Sequence, residues 1–145
     1  MKDVIVIKLS DIEPVQLTAT PGKEAGVVRR IANPKTVGTK QLFFNIAEVN
    51  PGYSPHRWHR HTFDKAKGVE LIYPADFEAV YYIVSGTGVA QWKTEDGQIK
   101  EISVSSGDTI FFPPDVAEHQ VLNNGTEKMI IAQCGSPLHT RKVTE

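Results

Sequence analysis

The sequence predicts an all-β fold, a sandwich or small barrel of short strands. Three observations carry that expectation. The apolar runs are short and rich in Val, Ile, Tyr and Phe, which fit a pleated, half-buried surface. They are separated by Gly, Pro and Asn turns rather than by long polar stretches. No segment sustains helical periodicity; residues 10–16 form at most one turn, limited by Pro14.

In chain order, the expected strands begin with residues 4–7 and 27–31. A longer run, 41–49, lies between Gly38 and Pro51-Gly52. Residues 79–84 follow. Residues 88–93 and 99–104 flank Thr94-Glu95-Asp96-Gly97, whose Asp-Gly pair signals a hairpin. Residues 109–112 stop at Pro113-Pro114. Residues 119–122 stop at Asn123-Asn124-Gly125, and 128–133 form the last clear strand. Two stretches read as irregular, 14–23 and 62–77. The second is long for a loop in a compact domain, and such loops often form lids or rims.

The chain has 145 residues, 40% of them hydrophobic and 23% charged, which suits one domain with a real core. The formal net charge of -1 provides no basic field for nucleic acid or an anionic membrane. The single cysteine, Cys134, excludes an intrachain disulfide and a cysteine-based zinc cluster. The simplest reading of Cys134 is a small buried residue. The apolar run at residues 4–7 is too short for a signal peptide, and no stretch approaches the roughly 20 residues of a bilayer span. A soluble cytoplasmic protein with small-molecule partners is expected.

Five histidines occur, and three fall within Pro55-His56-Arg57-Trp58-His59-Arg60-His61. Residues i and i+2 of a strand point to the same side, so His59 and His61 share a face. With a third imidazole from a neighbouring strand they make a three-nitrogen site, suited to iron, zinc, nickel or copper. Alone, His-x-His is equally well read as a polar surface strand.

The context resembles the cupin superfamily. Its first motif, G-x5-H-x-H-x3,4-E-x6-G, is similar to Gly52, His59, His61 and Gly86, with one extra residue before His59. Its second motif, G-x5-P-x-G-x2-H-x3-N, is matched by Gly107, Pro113, His119 and Asn123, again with one extra residue before the histidine. Asp115 stands in place of a glycine. The resemblance implies a double-stranded β-helix of the jelly-roll kind, a single cupin domain over 1–145. It also implies one divalent transition metal on His59, His61 and His119, with Fe favoured over Mn, Ni, Zn and Cu.

The family's glutamate ligand is the point of departure. Counting back from Gly86 places Ala79 at that position, with Glu78 one step away on the opposite face. Either a β-bulge restores Glu78 as a ligand, or the site holds three histidines and water; the count favours the second. Sixteen residues, 62–77, also intervene before Glu78 where the family has three or four. They form a lid, or a surface hairpin or dimer contact.

Arg57, Tyr81, Gln91 and Gln133 are the candidate substrate-binding residues. Tyr81 and Ile83 line the cavity if Ala79 faces inward; Tyr82 and Val84 do so if Glu78 does. His56 reads as a rim residue and His139 as part of an exposed tail. The implied activity is that of a metal-dependent enzyme on a small polar substrate, a dioxygenase first. A sugar or oxo-acid isomerase or lyase, or a non-catalytic binding module, is the alternative. A homodimer is expected, with the N-terminal strand added to a partner's sheet edge.

Overall fold

The computed structural model describes residues 2–17, 24–56, 58–61, 64–66, 69–72 and 74–142. Twelve strands are present: β1 (Val15–Gln16), β2 (Gly26–Ala32), β3 (Phe43–Val49), β4 (Asp64–Ala66), β5 (Val69–Ile72), β6 (Glu78–Ser85), β7 (Thr87–Lys93), β8 (Ile99–Ser105), β9 (Thr109–Phe112), β10 (His119–Leu122), β11 (Met129–Ser136) and β12 (His139–Lys142). Among the described residues the only helical piece is a 3-10 turn, Leu9–Asp11.

The strands make a six-stranded sheet in the order β1-β2-β3-β11-β6-β9, a three-stranded sheet β10-β7-β8, and a second three-stranded sheet β12-β5-β4. All pairings are antiparallel. The first two sheets share one core: Val28, Ala47, Ile83 and Ile131 come from the larger, Ala90, Val104 and Val121 from the smaller. The chain is therefore a jelly-roll β-sandwich, as the alternation of its apolar residues requires. Fully burying a side chain such as Ile83 or Ile131 contributes about 1.5–3 kcal/mol.

The expected hairpin at 94–97 is present. Gly97 N–H donates to Thr94 O at 2.9 Å, and Thr94 N–H to Gln98 O at 2.8 Å. Asp115, where the second motif has glycine, has φ +56°, so the backbone there is left-handed and Asp is among the side chains that tolerate it. Gly86 has φ +90°, and a Cβ would sit 2.9 Å from Lys128 O, so only glycine closes that turn without displacing β11.

Several expectations are corrected. Residues 4–7 form no strand; Val4 and Val6 are 90% and 83% exposed, because no neighbouring edge pairs with them. The stretch 62–77 is not irregular throughout, since β4 and β5 pair within it. The tail holding His139 is strand β12, paired with β5; polar composition hid it. Cys134 is half-buried rather than buried, because it sits on the outer parity of β11.

Register arranges the inward residues of the large sheet in rows. Val28, Ala47, Ile131 and Ile83 lie across β2, β3, β11 and β6. The next row holds Arg30, Asn45, Gln133, Tyr81 and Ile110; the one after holds Phe43, Gly135, Ala79 and Phe112.

Candidate metal centre

Gly52, Tyr53 and His59 are tied to His119 of β10 and to Asn123 just after it by backbone hydrogen bonds. Gly52 N–H donates to Asn123 O at 2.7 Å, Asn123 N–H to Tyr53 O at 2.9 Å, and His59 and His119 exchange a pair at 3.1 and 3.0 Å. The motif asparagine anchors this junction. Fully buried Asn123 donates from Nδ2 to Val49 O at 2.9 Å and Glu127 O at 2.8 Å, and accepts from Gly125 N–H at 3.0 Å.

That pairing places His59 beside His119 and brings His61 round to join them. Their ring centroids are 4.5 Å (His59–His119), 4.9 Å (His61–His119) and 5.4 Å (His59–His61) apart. One nitrogen from each lies within 4.8 Å of the other two. A metal ion held at about 2.0–2.1 Å from each nitrogen requires them closer together than that limit.

His119 shows why the cluster fits a cation. Only 2% exposed, it donates from Nδ1 to Ala117 O at 2.8 Å. That bond fixes the tautomer and leaves the Nε2 lone pair available. Nε2 is buried and has no hydrogen-bond partner among the described residues. A buried acceptor in that state costs free energy unless a cation or donor meets it.

The walls are aromatic. Phe112 stacks on His119 at 4.4 Å, and Phe77 meets His61 edge-on at 4.9 Å. Phe77 also stacks on Phe43 at 6.2 Å, across Gly135, where a Cβ would lie 2.6 Å from both rings. These rings help bury His119, while His59 and His61 are half-buried. Burial pushes His61 down to about 3, with the neighbouring imidazoles adding to the effect. Burial likewise pushes His119 down to about 4, against its bond to Ala117. Both rings are neutral at pH 7, the form that binds metal.

The structure locates the carboxylate in question. Glu78 is on the exposed face of β6, and Ala79, Tyr81 and Ile83 face the interior. A bulge does exist: Ile131 pairs with Ile83 and Ile130 with Ser85, leaving Val84 unmatched. It lies beyond Ile83, however, and the alternation from Glu78 to Val84 runs unbroken.

The other predicted residues separate. Tyr81 and Gln133 are buried on the inward faces of β6 and β11, and Tyr81 packs edge-on against Phe112 at 4.8 Å. Gln91 donates to Glu101 Oε2 at 2.7 Å and accepts from Gln120 Nε2 at 2.7 Å. Its amide is used in cross-strand pairing, and Gln91 also lines the cleft that reaches His119. Arg57 lies outside the described residues. His56 is exposed, its ring 5.2 Å from that of His59. A cleft of about 680 Å³ between β7–β8 and β9 reaches His119, Phe112 and Trp92.

Sequence reasoning missed Asn45 and the wall formed by Phe77 and Phe112. Asn45 was detectable: it interrupts the inward series Phe43, Ala47, Val49 with an amide.

No protein-family model matches the chain, and no curated protein does. Solved structures do. A predicted oxalate decarboxylase from Thermotoga maritima superposes with a TM-score of 0.64 at 21% identity, over 92% of this chain and 99% of that one. The chain has the cupin fold. A protein from Acidithiobacillus ferrooxidans assigned as a sugar phosphate isomerase matches at 0.58 and 17% identity, over 90% of this chain and 72% of that one. A variant of Bacillus subtilis oxalate decarboxylase matches at 0.62 and 19% identity, over 94% of this chain and 30% of the longer enzyme. Among the described residues, no helix is long and apolar enough to cross a membrane.

Proposed function

We propose that this cupin domain, read as residues 1–145, is a soluble cytoplasmic metal-dependent enzyme acting on a small polar organic substrate. The observation that carries the reading is twofold: His119 Nε2 is buried with no hydrogen-bond partner among the described residues, and one ring nitrogen from each of His59, His61 and His119 lies within 4.8 Å of the other two. Three imidazole ligands, with no inward carboxylate beside them among the described side chains, would give a divalent ion a net site charge of +2. Such a site favours an anionic oxygen chelator. A metal held there supplies Lewis-acid polarisation of a substrate oxygen. The chain's residues hold the donors neutral, wall them with Phe77 and Phe112, and orient the substrate with Tyr81 and Gln133.

The finer reading is a dioxygenase-type oxidoreductase with iron, because three protein ligands leave positions open for both substrate and dioxygen. The alternative, a lyase or isomerase, is favoured by a separate observation: the structural neighbours are oxalate decarboxylases and an assigned sugar phosphate isomerase. The Bacillus decarboxylase has Mn(II) centres. Metal analysis of untagged protein, followed by oxygen uptake with 2-oxo acids, tests the reading. About one metal per chain is expected. Oxygen uptake supports the dioxygenase, and substrate turnover without it supports the lyase or isomerase. A metal-free protein that takes up no added metal would overturn both.

The proposed assembly is a homodimer that covers the exposed apolar residues Val4, Ile5 and Val6. A monomeric mass by light scattering at micromolar concentration would dispose of it.

A further inference from the structure

Below the histidines the interior carries amides where a jelly roll needs only apolar side chains. Gln133 is 1% exposed, and neither Oε1 nor Nε2 has a hydrogen-bond partner among the described residues. Its cross-strand neighbour Asn45 buries an Oδ1 in the same condition. Both stand on inward positions of adjacent strands, with Tyr81 on the other side of Gln133. Together they leave two acceptors and one amide donor unmet inside the barrel. Such groups are retained where something else satisfies them.

The register gives the spacing from the row of Phe112, the ring that packs against His119. His119 stacks on Phe112, which shares a row with Ala79 and Gly135. Gln133 and Asn45 lie one inward position further along the strands, about 6.6–6.8 Å away. That is the reach of a four- or five-carbon chain. The one charged residue in their row, Arg30, is exposed at its far end.

We propose that Gln133 and Asn45 form a neutral subsite for the hydroxylated tail of a 2-oxo or 2-hydroxy acid whose acid end meets the three histidines. Uncharged hydroxyls donate to Gln133 Oε1 and Asn45 Oδ1 and accept from Gln133 Nε2. A carboxylate offers no donor and leaves both acceptors unmet, so the subsite discriminates against a second acid group. The inference rests on the metal reading, and its test separates the two.

Metal uptake is measured first, by calorimetric titration with Mn(II). The Mn(II)-loaded protein is then titrated with D-ribonate and with 2-hydroxypentanoate, which share a chelating head and chain length but differ in tail hydroxyls. Ribonate is expected to bind at least tenfold more tightly. Gln133→Met, which preserves length, is expected to reduce that preference to under threefold while Mn(II) affinity stays within threefold. Equal affinities in the unaltered protein, no binding of either acid, or a preference that survives Gln133→Met would each overturn the subsite. Failure to take up Mn(II) breaks the metal reading alone. In that case the uncharged polyol ribitol is added to metal-free protein, where it should shift the side-chain amide resonances of Gln133 and Asn45; unmoved resonances overturn the proposal. The same resonances decide the matter if Gln133→Met does not fold.

Discussion

Two rows on the same strands serve opposite ends of the barrel. Val28, Ala47, Ile131 and Ile83 are apolar and pack against Ala90, Val104 and Val121 of the facing sheet. Four residues along, Phe43, Gly135, Ala79 and Phe112 share a row, and Phe112 packs against His61 and His119. The backbone is equivalent in both rows. Only side-chain size and polarity differ, and between them lies the amide row of Asn45 and Gln133. The lower row ties stability to dispersion and apolar burial. The upper row makes room: Gly135 withholds volume so that the Phe43 and Phe77 rings can enter.

Substitution in the two rows should therefore separate folding from metal binding. Ile131→Ala removes a fully buried side chain and is expected to cost about 2–5 kcal/mol by chemical denaturation. His119→Ala is expected to weaken metal binding by roughly 100-fold or more, with the circular dichroism of the folded state preserved. Full metal occupancy in His59→Ala, His61→Ala and His119→Ala alike would end the assignment of the upper row as a metal site.

Acid should also act on the upper row first. His61 and His119 titrate near 3 and 4 in the folded protein but near 6.5 in the unfolded chain. Between pH 6.5 and about 4 the unfolded state binds protons that the folded state refuses. Stability of the metal-free protein is thus fully present above pH 6.5 and falls as the pH drops through that window. For deeply buried His119 the slope is up to about 1.4 kcal/mol per pH unit. Denaturation at pH 7 and pH 5 should show a smaller loss for His119→Phe than for the unaltered protein. An equal loss would mean that the acid sensitivity lies elsewhere.

Much of this was legible in the sequence because its signals are local. Strand parity put His59 and His61 together, Asp96-Gly97 marked a hairpin, and Asp115 filled a turn that needs a left-handed residue. What was not legible depends on pairing between distant segments. The Gln91 amide is satisfied by Glu101 and Gln120, on neighbours to either side that no linear pattern reveals. Residues 4–7 have strand composition, yet composition does not supply an edge to pair with. Strand β12 is polar and gains its order from β5.

The smallest expected effect concerns the two faces of β6. Ala79, facing the interior, and Glu78, facing out, are one residue apart, and a slip of register would exchange them. The bulge at Val84 compensates the turn at Gly86 without reaching Glu78, because pairing from Ser136–Glu78 to Ile131–Ile83 is continuous. Glu78→Gln keeps size and polarity and removes only charge on an exposed position. Metal affinity is expected to change less than about threefold, since an exposed charge is largely screened at physiological salt. Were Glu78 a direct oxygen donor, the same change would remove an anionic ligand and weaken binding by tens of fold. Calorimetric titration of the variant with Mn(II) and with Fe(II) under anaerobic conditions distinguishes the cases. A loss of that size would mean that β6 shifts by one residue when metal enters, and Ala79 would then be the outward residue.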